Sequence, residues 1–380
     1  MTVLFITEII PFPVNSGERI RTYGLLKIMS DLDLKVLAVV GKAKKGNNDF
    51  QSIKGVDYFP YDFYDKNFFN GDSMLYNLRI DKEFIKYVSK ILDNNQVDFV
   101  FIDFRYRGQY IQFFRKKGYP VIYGTHNAQA TIIRHKPVHN FKGRISRYLQ
   151  YLVNRFHEHK YFKNADALIV VSDGDYNYHA SFVNRSKIHI IPNFLIESDY
   201  FKIQVPKEDN LIMTANFRAY QNFFGLEWFV KEVWDVELAG IFKLLLVGRD
   251  SKDAFEKLSK EYSMKNIIAI GEVDDIKPYI ARARASLVPL LHGSGSRLKC
   301  LESMALKTIL ISTTKGAEGI EHDNSIIIAD TPTAFKNSLL NLSDQKSVNP
   351  EKAFSIFVNK YSLEPNKKIF EGIIKNITLD

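Results

Sequence analysis

The feature that most constrains this chain is an alternation, run twice, of short Val/Ile/Leu-rich segments with longer stretches of helical spacing. Residues 3–6, 35–40, 98–102, 121–123 and 167–171 read as strands in the first half, and 211–214, 243–247, 267–270, 286–289 and 308–312 in the second. Residues 19–30, 82–92 and 223–233 carry helical periodicity between them. The strand segments do not alternate polar with apolar, which is the pattern of parallel strands covered on both faces. Strand–helix–strand order gives α/β units joined by right-handed crossovers. The pattern runs to about Ile191 and restarts at Leu211, and the mostly polar residues 193–210 lie between. The fold class is therefore read as α/β, with two Rossmann-like domains facing across a cleft and ligands beyond the C-terminal strand ends. The expected boundaries are 1–200 and 201–362, with a C-terminal helix over 363–380 packing back on the first domain.

At 380 residues the chain is long enough to bury two full cores. A single cysteine, Cys300, excludes an internal disulfide framework and a Cys-based zinc site, and fits a reducing compartment. The opening MTVLFITEIIPFP has no basic region and no cleavage site, so it reads as a buried strand. No apolar run approaches the ~20 residues of a spanning helix. Residues 58–69 hold seven aromatics and read as a loop packed on its own domain.

Charge is distributed unevenly. Residues 101–160 carry 12 Lys or Arg against two acids, Asp103 and Glu158, while the rest of the chain is close to neutral. Within that window residues 142–161 read as a helix, with Ile145, Leu149, Leu152 and Phe156 on one face. Arg144, Arg147, Arg155 and Lys160 make it basic. Such a helix suits an anionic membrane surface, and equally a core-packed helix with a solvated basic face. Nucleic acid is the least favoured partner, because no helix-turn-helix, zinc-finger or RNP pattern accompanies the charge.

The strongest chemical signal is HGSGSRLKCLESMALKTILIST, residues 292–313. Gly293, Ser294, Gly295 and Ser296 form a small-residue turn feeding a helix that starts near Arg297. Free N–H groups and the positive end of a helix dipole favour an anion there. Arg297 and Lys299 add two cations, so a diphosphate has the right charge and size. Glu302 lies further along the helix, where a carboxylate accepts hydrogen bonds from the vicinal hydroxyls of a ribose. The G-x-G-x-x-G fingerprint is absent, since Leu298 stands at its third glycine, and Walker A spacing is absent too.

Residues 292–319 resemble the nucleotide-sugar signature of GT-B glycosyltransferases of family 4, the group 1 retaining enzymes, in a subset with G-S-G-x-R-x-K. Other segments match the family in order: PFPVNSGERIRTYGLL (11–26), YGTHNAQ (123–129), ADALIVVSDGD (165–175), IHIIPNFL (188–195), the region 214–234 and KGAEGIE (315–321). The resemblance implies that Ser16 and Gly17 bring backbone N–H groups to the donor diphosphate. It implies that His126 sits near the transferred sugar, that Arg297 and Lys299 neutralise the leaving diphosphate, and that Glu302 holds the ribose. The loop 292–296 would wrap the donor, with Arg218 as a further phosphate ligand. Two departures stand out. Ser294 occupies the position of the family's first Glu, and Ala215-Asn216-Phe217 replaces its G-S-M.

What the resemblance implies is a retaining, metal-independent glycosyltransferase. It would move a sugar from a nucleotide-diphosphate sugar, the co-substrate, to a lipid-linked or polysaccharide acceptor in cell-surface glycan biosynthesis. No resident cofactor is expected, and the expected location is cytoplasmic or peripheral on the inner membrane face. Asp173-Gly174-Asp175 has the spacing of a metal-binding pair, but the position after Val171-Ser172 favours a helix cap. A sugar-nucleotide 2-epimerase on the same fold and a non-catalytic basic module binding polyanions are the competing readings. Asp103, at a strand end, reads as a helix cap.

Overall fold

The structure is a computed structural model describing residues 1–42, 50–63, 80–104, 106–135, 140–203, 205–293, 297–342 and 349–378. These fall into two compact units, one from Met1–Asn193 with Asn366–Asp380 and one from Phe194–Pro365. The first unit holds a seven-stranded sheet of β1 (Thr2–Thr7), β2 (Lys35–Gly41), β3 (Val56–Tyr61), β4 (Phe99–Asp103), β5 (Val121–Gly124), β6 (Ala167–Val170) and β7 (Ile188–Ile190). Its order is β3-β2-β1-β4-β5-β6-β7, and every pairing is parallel. The second holds β8 (Glu208–Thr214), β9 (Lys243–Val247), β10 (Ile267–Gly271), β11 (Ala283–Val288), β12 (Ile309–Ser312) and β13 (Ile327–Ile328). Its order is β10-β9-β8-β11-β12-β13, again parallel throughout. The architecture is the expected two-domain, Rossmann-like α/β fold.

The continuous apolar runs explain the strands. Every residue of β4, β5 and β6 is buried, as residues roofed by helices on both faces must be. One face of the first sheet meets the helices Lys82–Asp93 and Gln109–Lys116 through Phe84, Val88, Ile111 and Phe114. Phe101 packs against Phe370 of the C-terminal helix Leu363–Thr378, with ring centroids 5.5 Å apart. In the second unit Leu226, Phe229, Leu246, Leu287 and Phe335 form the corresponding core.

Both sheets reverse strand order once, at β1/β4 and at β8/β11. A crevice opens at such a switch point, beyond the C-terminal strand ends. Asp103 ends β4, and residues 289–293 leave β11.

Two expectations change. The run 58–69 is not a loop throughout, since Tyr58–Tyr61 complete β3, while 64–69 lie outside the described residues. The helix Phe141–Tyr161 forms with the expected stripe, yet Ile145, Leu149, Leu152 and Phe156 are exposed rather than packed in a core. What it turns inward is Asn154, His157 and Glu158.

Candidate functional site

Each unit carries its own group of candidate residues. In the second, the loop after β11 ends in the helix Leu298–Ala305, whose N-cap is Arg297 with no side-chain cap bond. The Cys300 N–H donates to the Arg297 carbonyl at 2.8 Å, and the positive end of the helix dipole faces the turn before it. Leu298, Cys300, Leu301, Ser303, Met304 and Ala305 are buried. Lys299 and Glu302, three residues apart, share the remaining face.

Arg297 is almost wholly buried, and its Nη2 lies 3.3 Å from both the Gly293 carbonyl and Glu318 Oε2. Its Nε is buried without a hydrogen-bond partner. Burial works against the Arg297 charge, and Glu318 opposes that effect. Lys299 Nζ donates to Asn222 Oδ1 at 3.0 Å, and Asn222 Nδ2 donates to the Asn216 carbonyl at 2.9 Å. Desolvation pulls the Lys299 ammonium down to about 8. Desolvation also pushes the Glu302 carboxyl up to about 7, against the pull of Lys299 and Lys277. Tyr200 Oη approaches Glu302 Oε1 at 3.5 Å. The helix therefore presents a cation and a carboxyl that both titrate near neutrality, beside a buried guanidinium.

The local backbone explains the glycines. Gly293 has φ +102°, a left-handed conformation, and a Cβ there would press on Gln221 Cβ at 3.0 Å. Gly225 brings the helix Tyr220–Glu232 onto the exit of β11, where a Cβ would meet the Pro289 carbonyl at 2.6 Å. Thr214, Ala215, Asn222, Gly225, Leu290 and Lys299 line the resulting crease at the β8/β11 switch. Arg218 is exposed, and its N–H donates to Asn216 Oδ1 at 3.1 Å. It joins the group only through Asn216 and Asn222. Ser294, Gly295 and Ser296 lie outside the described residues.

In the first unit Ser16 is the N-cap of the helix Gly17–Asp31 and makes no side-chain cap bond. His126 follows β5, and its Nε2 lies 3.4 Å from Asp103 Oδ2. Arg21 Nε lies 3.9 Å from Asp103 Oδ1, and its Nη1 donates to the Ile191 carbonyl at 3.2 Å. All three side chains are buried. Asp103 is not a helix cap. The next helix, Gln109–Lys116, has Gly108 at its N-cap and no side-chain cap bond. Asp175 is not set out for a metal: its carboxylate accepts from the Ser172 hydroxyl at 2.6 Å and from Ala128 N–H at 2.7 Å. Among the described residues no group of three or more His, Cys, Asp or Glu converges as metal ligands would.

Sequence reading missed Asn222, Tyr200, Glu318 and Lys277, which hold or charge the helix residues. Glu318 and Asn222 carried a signal, because they lie in KGAEGIE and in the matched region 214–234.

Two all-parallel α/β units, the second with a basic helix start at its switch point, have the fold of the GT-B glycosyltransferases. Residues 64–196 match the family described as Glycosyltransferase Family 4, and residues 208–345 match that described as Glycosyl transferases group 1. Sucrose-phosphate synthase from Thermosynechococcus elongatus superposes with a TM-score of 0.75 at 14% identity, covering 100% of this chain and 99% of that one. WaaG, a glycosyltransferase involved in lipopolysaccharide biosynthesis, gives 0.63 at 16% identity over 97% and 100%. HepE from Anabaena, in complex with UDP and glucose, gives 0.61 at 12% identity over 99% of each chain. A curated relative, an uncharacterized 44.6 kDa protein in the cps region of Klebsiella pneumoniae, is 26% identical over 175 residues. That match spans 44% of this chain and 45% of the relative, less than half the length of each. Together these findings support a glycosyltransferase of the GT-B fold. No helix among the described residues is long and apolar enough to cross a membrane.

Proposed function

We propose that the protein is a retaining, metal-independent glycosyltransferase that moves a sugar from a nucleotide-diphosphate sugar to a lipid-linked or polysaccharide acceptor. The observation that carries the reading is the helix Leu298–Ala305, with the buried Arg297 at its start and Lys299 and Glu302 on one face. Fixed cations and N–H dipoles aimed at a leaving diphosphate stabilise the charge that develops as the glycosidic bond breaks. Arg297 and Lys299 supply that stabilisation, and Glu302 accepts from the ribose hydroxyls. For the first unit the family motifs assign backbone N–H groups of Ser16 and Gly17 to a donor diphosphate and His126 to the transferred sugar. No carboxylate nucleophile is assigned. Two structural neighbours support the coarser part of this reading: HepE was solved with UDP and glucose, and WaaG is a glycosyltransferase involved in lipopolysaccharide biosynthesis. The relative in a cps region favours surface polysaccharide as the product. The site of action is the cytoplasm or the inner face of the membrane.

A panel of UDP-, GDP-, ADP-, dTDP- and CMP-sugars in a thermal-shift assay tests the reading. A ligand at 100 times its dissociation constant adds about 2.7 kcal/mol to stability. A shift with one nucleotide class that disappears in Glu302→Ala and Lys299→Ala is expected. No shift with any donor, or the same shift in both variants, overturns the assignment. Conversion of the donor without any acceptor would identify a 2-epimerase instead.

A further inference from the structure

The helix Phe141–Tyr161 presents to solvent a surface that a soluble face does not need. Its exposed large apolar residues are Phe141, Ile145, Tyr148, Leu149, Leu152 and Phe156, with Phe141 at 75% and Phe156 at 59% exposure. At 3.6 residues per turn these six fall within about 100° of arc. They form one continuous stripe along 21 residues, or about 31 Å of helix. Lys142 and Lys160 border the stripe on one side, and Arg144 and Arg155 border it on the other.

The two acids of this basic window do not face solvent. Of the two acids in residues 101–160, Asp103 is 0% exposed and Glu158 3%, and Glu158 is turned inward onto Tyr178 and the Ala130 N–H. On the arginine side the helix borders a cavity of about 480 Å³ lined by Arg134, Arg147, Tyr148, Tyr151, Leu152 and Arg155. Among the described lining residues stand three guanidiniums and two phenols and no carboxylate, an environment for phosphate. Tyr151 holds two of the arginines in place: Arg134 lies over its ring at 5.7 Å, and Arg155 Nη1 donates to its hydroxyl at 3.0 Å.

We propose that this helix seats the protein on an anionic lipid bilayer, the apolar stripe entering the interface and the Arg134–Arg147–Arg155 cavity receiving lipid phosphate. The proposal deepens the reading above, in which the acceptor is carried on a membrane, and it names the element and the headgroup chemistry. An apolar stripe lying in the plane of the interface and flanked by cations is what binds a helix there. A second copy of the chain is the poorer occupant, because it would set like-charged rims against each other. A nucleic acid would use the cations and leave the stripe in water.

The test is co-sedimentation of the full chain with vesicles of phosphatidylcholine alone or with added phosphatidylglycerol, at low and high salt. The expected result is binding to the anionic vesicles that weakens with salt. Arg147→Gln/Arg155→Gln should reduce the partition coefficient about 30-fold. Ile145→Ser/Leu149→Ser, at two exposed positions, should reduce it about 10-fold or more. Unchanged thermal midpoints establish that both variants fold. Nucleotide-sugar thermal shifts should be unaltered in both, so the outcome is read separately from the donor site. Three results overturn the proposal: no difference between the two vesicle types, wild-type partition by the serine variant, or a dimer in sedimentation equilibrium that the serine variant abolishes. So would a thermal shift with inorganic pyrophosphate that needs Arg147 and Arg155 in a protein that leaves the vesicles unbound.

Discussion

Asp103 Oδ2 lies 3.4 Å from His126 Nε2 at the end of β4, with Arg21 Nε 3.9 Å from the other carboxylate oxygen. One fully buried acid thus stands between His126, which the family motifs single out, and Arg21. Burial works against the Asp103 charge, but His126 and then Arg21 outweigh it and hold the carboxyl below its ordinary value. Burial likewise works against the Arg21 charge, which Asp103 and Asp175 support. The three groups form one electrostatic unit, and the carboxylate fixes which edge of the imidazole faces inward.

Asp103→Ala leaves the Arg21 guanidinium buried without its nearest counter-charge. Breaking a buried pair in this way costs about 3–5 kcal/mol, and urea unfolding at neutral pH should show it. The sign of the pH effect follows from the lowered carboxyl. Its stabilisation is complete above the unfolded value of about 3.9 and is lost as pH falls through the folded value. The wild-type advantage over the alanine variant should therefore narrow below about pH 4. A constant difference across that range would mean that packing, not charge, holds the site.

Glu158 predicts a pH dependence of the opposite sign. Its carboxyl is pushed up to about 7 by burial, although the Tyr178 hydroxyl and the backbone N–H groups of Ala130 and Gln129 favour its charged form. The folded chain keeps that proton to about pH 7, and the unfolded chain only to about 4.3. This contribution is full below about 4.3 and is lost as pH rises through about 7. Glu158→Gln cannot ionise, and its amide faces a donor that the carboxyl accepted, at a cost of about 1–3 kcal/mol. The variant should be less stable than wild type near pH 5, with the gap closing by pH 8. Parallel thermal-midpoint curves over that range would contradict the assignment.

The parallel strands were legible because strands roofed on both faces are continuous apolar runs, and β1, β4, β8, β9 and β12 read directly. β3 was less so: it is an edge strand carrying Pro60, which lacks an N–H to donate to a ladder, and its sequence reads as an aromatic loop. Periodicity told which residues of the helix Phe141–Tyr161 share a face, but not whether that face meets protein or water. Asp103 reads locally as a cap, because what surrounds it arrives from Arg21 and His126. The same limit applies to the candidate site. Arg297, Lys299 and Glu302 stand close together in the sequence, whereas Lys299 meets Asn222 across 77 residues and Glu302 meets Tyr200 across 102.

Asn222 turns that long-range contact into a prediction. It accepts from Lys299 and donates to the Asn216 carbonyl, so it fixes where the ammonium stands. Asn222→Ala removes one hydrogen bond to a charged group, worth about 1.5–3 kcal/mol. It should weaken binding of the nucleotide diphosphate about tenfold or more and lower the thermal midpoint without ligand by a few degrees. Isothermal titration with the nucleotide found in the donor panel measures it, and an unchanged dissociation constant would show that Lys299 needs no such support.

The pair Lys299 and Glu302 gives the sharpest pH signature. Without ligand, desolvation sets the ammonium at about 8 and the carboxyl at about 7, and because the two interact these belong to the pair. A diphosphate favours the charged ammonium, and ribose hydroxyls donate best to the charged carboxylate. Below pH 7 binding must first remove a proton from Glu302, so affinity falls as pH falls. Above pH 8 it must return a proton to Lys299, so affinity falls as pH rises, each limb approaching about tenfold per unit. The dissociation constant of the nucleotide should therefore pass through a minimum between pH 7 and 8. Lys299→Ala should keep only the acidic limb and Glu302→Ala only the alkaline one. A profile that stays flat from pH 6 to 9 in the wild type would mean that neither group touches the ligand.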